Sequence, residues 1–117
     1  MTDRAQGEYD GQKIHTDEVK KEVTQIIDGF NQKVSKGLGS SYVPRYRGSY
    51  LYLNRNDGGR QSSICRLTYT GDMQNWEFAI FKYSSETYDP DEWIFPGSEF
   101  IDGTIEGAMK AGMEVYP

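Results

Sequence analysis

The chain has 117 residues, of which 36% are hydrophobic and 26% charged, and its formal net charge at pH 7 is −5. This length fits one domain. Because no apolar run approaches the roughly 18 residues of a membrane-spanning helix and no signal peptide is recognisable, we expect a small soluble protein of the cytoplasm without a membrane partner. The single cysteine, Cys65, excludes an internal disulfide and a cysteine-rich zinc site.

Basic and acidic residues are segregated along the chain. Residues 33–66 contain seven basic residues and one acidic residue, a net charge of +6, whereas residues 83–109 contain seven acidic residues and no basic one. An acidic protein is repelled by nucleic acid at long range, but a local basic block that formed one face would offset this repulsion. The alternative is that the two blocks face each other, within the fold or between subunits.

A long helix is predicted at residues 17–36. Thr16 is a typical N-cap residue, and Gly37 is a natural C-terminal stop. The apolar residues between them recur at spacings that place them on one stripe of a helix: Val19, Val23, Ile26, Ile27, Phe30 and Val34. This stripe is expected to be buried.

Three β-like runs follow the helix, at residues 49–53, 63–69 and 76–83. Glycine-containing turns separate them, which is typical of antiparallel hairpins. Residues 37–48 are interpreted as a connector, and residues 92–95 as an optional fourth strand. The sequence therefore predicts an antiparallel β-meander of three or four strands.

A short C-terminal helix is predicted at residues 103–114, capped by Asp102. The resulting fold class is α+β: a long N-terminal helix, a three- or four-stranded antiparallel β-meander and a short C-terminal helix. Residues 14–117 are predicted to form this single domain, and the polar segment 1–13 a mobile tail.

The strand alternation gives the predicted sheet two apolar faces. One face packs against the helices: Leu51, Leu53, Cys65, Leu67, Trp76, Phe78 and Ile80. The other carries Tyr50, Tyr52, Ile64, Arg66, Phe81 and Tyr83. An aromatic face of this kind marks a binding or oligomer surface, unless residues 84–101 fold over it. The predicted binding residues are Tyr50, Tyr52, Arg66, Phe81 and Tyr83.

Catalytic and metal-binding patterns are weak in this sequence. His15 is the only histidine, so a nucleophile–histidine arrangement would depend on it alone. Asp89, Asp91 and Glu92 offer oxygen ligands in one turn, but they do not form an EF-hand loop. We therefore expect no catalytic residue, no metal and no cofactor.

The predicted order of helix, three-stranded meander and helix, over residues 16–114, resembles double-stranded RNA-binding domains. That family grips phosphates with a lysine-rich start of its last helix, whereas the matching stretch here, residues 102–107, is acidic. The resemblance therefore implies no binding of duplex RNA.

These observations favour a non-catalytic interaction module that forms a homodimer or binds a protein partner through its aromatic sheet face. The first alternative is a single-stranded nucleic-acid binder that uses the arginine-rich block 33–66 and the tyrosine face, although the net charge of −5 opposes it. The second alternative is a small hydrolase that uses paired carboxylates.

Overall fold

The computed structural model describes residues 16–35 and 39–117. Helix α1 (Asp17–Phe30) leads into a π-helical turn (Asn31–Ser35), and five strands follow. The strands are β1 (Ser40–Arg47), β2 (Tyr50–Asp57), β3 (Arg60–Thr68), β4 (Glu77–Lys82) and β5 (Thr87–Asp89). A 3-10 turn (Ser98–Phe100) precedes helix α2 (Ile105–Val115). The predicted tail, the start of the predicted domain and the helix stop at Gly37 lie outside the described residues.

The strands form one antiparallel sheet in the order β1-β2-β3-β4-β5. The α+β prediction is confirmed, with five strands instead of three or four. Both helices pack on one face of the sheet, and the seven side chains predicted to face them are all buried: Leu51, Leu53, Cys65, Leu67, Trp76, Phe78 and Ile80. Within the part of the chain that is described, no helix is long and apolar enough to cross a membrane.

Helix α1 begins as its sequence predicts and changes geometry earlier than expected. The Thr16 side chain accepts a hydrogen bond from the backbone N–H of Val19 at 3.3 Å. After Phe30 the helix widens into the π-helical turn. The Asn31 amide then donates to the carbonyl of Tyr42 at 3.0 Å and accepts from its N–H at 2.8 Å. These two bonds tie the end of the helix to strand β1.

Strand β1 occupies the segment that was interpreted as a connector, so that interpretation is wrong. Pro44 lies in the middle of this strand, opposite Leu53 of β2. A proline has no N–H to donate, and this is tolerated because β1 is an edge strand. Gly58 and Gly59 join β2 to β3, and both have the positive φ angles of a two-residue hairpin turn.

A β-bulge changes which face one predicted surface residue occupies. Leu53 pairs with Cys65 but Asn54 pairs with Ser63, which leaves Ile64 as the extra residue. Ile64 is therefore fully buried beneath α2, where a Cβ on Gly112 would come within 2.7 Å of its Cγ2. The prediction that Ile64 lies on the face away from the helices is wrong for this reason.

The segment that precedes α2 also differs from expectation. The strand that follows β4 is β5 (Thr87–Asp89). Residues 92–95, which were interpreted as an optional fourth strand, are not a strand. Helix α2 is capped by Thr104, whose hydroxyl accepts from the N–H of Gly107 at 3.0 Å. Asp102 instead accepts from the N–H and hydroxyl of Thr104, and these bonds lower the pKa of its carboxyl. Asp102 thus supports the cap rather than forming it.

Arg55 is a buried arginine on the helix side of β2. Its guanidinium donates to the carbonyls of Gly112 and Tyr116, at the C-terminal end of α2. Cations favour this end of a helix, where carbonyls lack intrahelical partners. Beside it, the Tyr42 hydroxyl donates to the carbonyl of Met109 at 2.7 Å. The two side chains fasten α2 to the sheet.

Candidate functional site

The face of the sheet opposite the helices, which we call the open face, is basic and aromatic. The strand register brings side chains from all five strands onto it. Its central residues are Arg45, Arg47, Tyr50, Tyr52, Asn54, Arg66, Phe81 and Tyr88. Arg45 lies opposite Tyr52, and Arg47 lies opposite Tyr50.

A chain of aromatic rings crosses the open face in edge-to-face contacts. Tyr50 and Tyr52 have ring centroids 6.0 Å apart, and Tyr52 and Tyr88 are 5.3 Å apart. Tyr88 meets Phe81 at 4.9 Å, and Phe81 meets Tyr83 at 4.8 Å. Such pairs stabilise one another beyond their burial. The rings therefore form a fixed platform that spans β2, β4 and β5.

Arg66 is held within this platform by two tyrosines. Its guanidinium carbon lies 4.4 Å from the Tyr50 ring centroid and 5.5 Å from that of Tyr88. Both distances suit cation–π attraction. Its Nε is buried without a hydrogen-bond partner among the described residues. Stacking thus holds the guanidinium in place, and its Nε–H makes no hydrogen bond to a described residue.

The arginines of the open face form no ion pair with any other described residue. Arg45 and Arg47 are exposed. Across residues 16–35 and 39–117, the ion pairs are Arg55–Asp57, Lys82–Asp89 and Lys82–Glu92, and none involves an arginine of this face. None joins the basic block to the acidic block either, so their predicted pairing within the fold is not found among these residues.

A pocket of about 320 Å³ opens between the arginines and the rings. Its lining includes Arg45, Arg47, Tyr52, Asn54, Ser63 and Tyr88. Asn54 is only 8% exposed, and within the described chain its Oδ1 has no hydrogen-bond partner. The pocket thus has guanidinium groups at its sides and is lined by a buried asparagine whose amide oxygen has no partner among the described residues.

The structure brings the five predicted binding residues to one surface. Tyr50, Tyr52, Arg66 and Phe81 lie on the platform, while Tyr83 stands at its border, 50% exposed, with its hydroxyl donating to the carbonyl of Ser63 at 2.8 Å. Further residues of the face were not predicted from the sequence: Arg45, Arg47, Asn54 and Tyr88. The arginines of β1 could have been identified from an alternation in the sequence. In it, Tyr42, Pro44 and Tyr46 alternate with Val43, Arg45 and Arg47.

Residues 84–101 pack on the open face through Tyr88, which covers its centre. Tyr88 contributes its ring, but the chain then turns to the helix side, where Phe95 stacks on Phe78 at 5.9 Å. Trp93 lines a different groove, with Trp76 and Phe78. Ile94 is 90% exposed, so it does not cover the sheet. The arginines and tyrosines of the face consequently stay accessible.

The groups considered for catalysis are arranged differently. Burial raises the pKa of the Cys65 thiol, which keeps it from forming a nucleophilic thiolate, and His15 lies outside the described residues. The hydrogen bond from Lys82 lowers the pKa of Glu92, whereas a general acid needs a raised one. Among residues 16–35 and 39–117, no group of three or more His, Cys, Asp or Glu side chains could hold a metal ion.

Comparisons with known proteins do not assign the chain to a family. No protein-family model, curated protein or solved structure matches it. The resemblance in element order to double-stranded RNA-binding domains is reduced by the five strands of the sheet, because β1 and β5 extend the meander on both sides.

Proposed function

We propose that the protein is a non-catalytic binding module whose open face binds single-stranded nucleic acid. The observation that carries this proposal is the presence of Arg45, Arg47 and Arg66 beside a platform of tyrosine and phenylalanine rings. Single-stranded nucleic acid combines the two groups that such a surface attracts, phosphates and planar bases.

The platform has the chemistry that unpaired bases require. Each base that stacks on an aromatic side chain contributes about 1–3 kcal/mol, whatever its sequence. Tyr50, Tyr52 and Tyr88 are half-buried, so their rings are held in place and still present part of their surface. Arginine adds stacking of its own planar guanidinium and bidentate contacts to phosphate.

The net charge of −5 does not exclude binding of nucleic acid, because a bound strand interacts mainly with the charges nearest to it. Asp89 and Glu92 are paired with Lys82 on the helix side of the sheet, and Glu77, opposite Thr68, is the acidic residue that the strand register places on the open face. At an ionic strength of 0.1 M, charges more than about 10 Å away are largely screened. Arg45, Arg47 and Arg66 therefore outnumber the single carboxylate of Glu77, and we expect a nucleic-acid strand to meet a positive field at the open face.

The same charges weaken the case for a homodimer through this face. A twofold interface brings the same patch of both copies together, so that all six arginines of the two open faces would lie in one interface. Like charges across an interface are costly. The aromatic rings also cover one another, which reduces the apolar area that a second copy would bury. Self-association and the binding of a protein partner stay predictions, and we rank both below the binding of nucleic acid.

Fluorescence anisotropy with a labelled oligonucleotide of about twelve nucleotides tests the proposed function. We expect binding at low salt that weakens as salt rises, because counterions are released when arginines contact phosphates. The double substitution Arg45→Gln and Arg47→Gln is expected to reduce the slope of log K against log salt by about 1.4, at about 0.7 for each lost contact to a single strand.

A matched control removes the same charge from the helix layer. Lys21 of α1 and Lys110 of α2 are exposed, and the double substitution Lys21→Gln and Lys110→Gln is expected to leave the salt slope unchanged. An equal loss in both double variants would mean that only overall charge matters. That result, or no binding by the unmodified protein at low salt, would overturn the proposal.

A further inference from the structure

The pocket of the open face contains an amide whose hydrogen-bonding capacity is unused. Asn54 is 8% exposed, and its Oδ1 is buried without a partner among the described residues. Leaving a buried polar group unsatisfied costs about 1–3 kcal/mol. Buried polar groups are otherwise nearly always paired, and the amide of Asn54 is the unpaired group, among those of the described residues, that lines a pocket together with two exposed arginines.

The position of Asn54 follows from the β-bulge. The register shift falls between Leu53 and Asn54, and it turns Ile64 toward the helices. The site opposite Asn54 on β3 is therefore occupied by the small residue Ser63. This leaves room above the amide, and both residues line the pocket of about 320 Å³. That volume lies at the lower end of ligand pockets, which span about 300–1,000 Å³.

We propose that this pocket receives one base of the bound strand and that the Asn54 amide hydrogen-bonds to the edge of that base. This inference rests on the proposed function and adds that the protein reads bases as well as phosphates. The edge of every nucleobase carries donors and acceptors, which an asparagine side chain can match in pairs. Tyr52 and Tyr88, on the wall of the pocket, supply the stacking surface.

A base fits the amide oxygen better than a phosphate does. A phosphate at neutral pH offers acceptors, whereas Asn54 Oδ1 is itself an acceptor that requires a donor. The guanidinium groups of Arg45 and Arg47 flank the same pocket and suit the phosphates on either side of the inserted base. The base and the phosphates of a bound nucleotide would thus contact different side chains of the pocket.

Anisotropy titrations with two matched strands test this inference, one carrying bases and one carrying abasic sugars at every position. Asn54→Leu is close in volume and removes the amide, and Asn54→Ala removes it without filling the pocket. Both variants are expected to bind the base-bearing strand about tenfold more weakly, the effect of one lost base contact. Binding to the abasic strand, which depends on the arginines, is expected to stay unchanged.

Thr68 provides the control, since it lies on the same face outside the pocket. Thr68→Val is expected to bind both strands as the unmodified protein does. The melting temperature of Asn54→Leu is expected to stay equal or rise, because an unpaired buried amide is replaced by an apolar group.

The outcomes separate this inference from the proposed function. If the unmodified protein binds both strands and the two Asn54 variants bind the base-bearing strand equally well, base reading is refuted while strand binding stands. A fall in melting temperature with equal weakening on both strands would make Asn54 a structural residue and would also refute base reading. If neither strand binds, both proposals fail.

Discussion

Replacing Arg55 by alanine is expected to destabilise the fold by about 3–5 kcal/mol. The guanidinium donates to the carbonyls of Gly112 and Tyr116, and hydrogen bonds from a charged group contribute about 1.5–3 kcal/mol each. Alanine would leave both carbonyls at the end of α2 without this donor, and it would leave a cavity between the helix and the sheet. Urea denaturation monitored by circular dichroism measures the loss.

Arg45→Ala is the matched control for this substitution. Arg45 lies ten residues earlier, on the open face, and its side chain is exposed. Substitutions of such surface residues change stability by about 0.5 kcal/mol or less. Arg55→Lys is expected to fall between the two, since lysine keeps the charge but not the planar fork of donors. Equal, small losses for Arg55→Ala and Arg45→Ala would show that Arg55 does not fasten α2.

Phe30→Ala is expected to cost about 3–5 kcal/mol, as other phenylalanine-to-alanine changes in cores do. Phe30 is 3% exposed and meets the edge of the Tyr42 ring with centroids 5.8 Å apart. Its removal would open a cavity where α1 meets β1, and it would remove a support from Tyr42, which also holds α2. The same denaturation experiment quantifies the effect.

Val34 lies one turn beyond Phe30 in the π-helical turn and is exposed. The sequence pattern placed both residues on the buried stripe, but the structure buries only Phe30. Val34→Ala is therefore expected to change the free energy of unfolding by about 0.5 kcal/mol or less. A loss below about 1 kcal/mol for Phe30→Ala, against the range known for core cavities, would mean that α1 does not pack on the sheet as described.

The long-range pattern of the fold was predictable because it is carried by periodic apolar residues. Val23, Ile27 and Phe30 repeat at helical spacing and are buried. Leu51, Leu53 and Leu67 alternate at strand spacing and face the helices. Alternation of this kind is imposed by the need to bury one face of each element.

The edges of the sheet were not predictable in the same way. Strand β1 has a proline at its centre and serine at its start, both of which are typical of loops. Strand β5 is three residues long, too short to show a period. The alternation within β1 was the one signal available, and its loop-type residues obscured it, whereas β5 is identified only by its pairing with β4.

Two features of the candidate site depend on these unpredicted elements. Arg45 and Arg47 reach the open face only because β1 pairs with β2, and Tyr88 reaches it only because β5 pairs with β4. The bulge at Asn54 moved Ile64 away from the face, since a shift of one residue reverses the side on which a strand residue lies. The predicted face was therefore more apolar and less basic than the observed one.

This difference changes which ligand fits the face. An apolar aromatic surface would favour a second copy or another protein, as the sequence suggested. The observed surface carries Arg45 and Arg47 beside Arg66, and it has a polar pocket at Asn54 where Ile64 was expected. Such a surface favours an anionic ligand that carries planar rings. The groove beside Trp93 on the other side of the molecule is separate from this surface.

Chemical-shift mapping with a short unlabelled oligonucleotide tests the location of the binding surface most directly. In a ¹⁵N-labelled sample at low salt, we expect the largest shifts at the Asn54 side-chain amide, the Arg66 Nε–H and the backbone amides around Tyr52 and Tyr88. Signals from the exposed surfaces of α1 and α2 are expected to stay in place. Shifts concentrated around Trp93 and Ile94, or no shifts at all, would contradict the assignment of the open face as the nucleic-acid site.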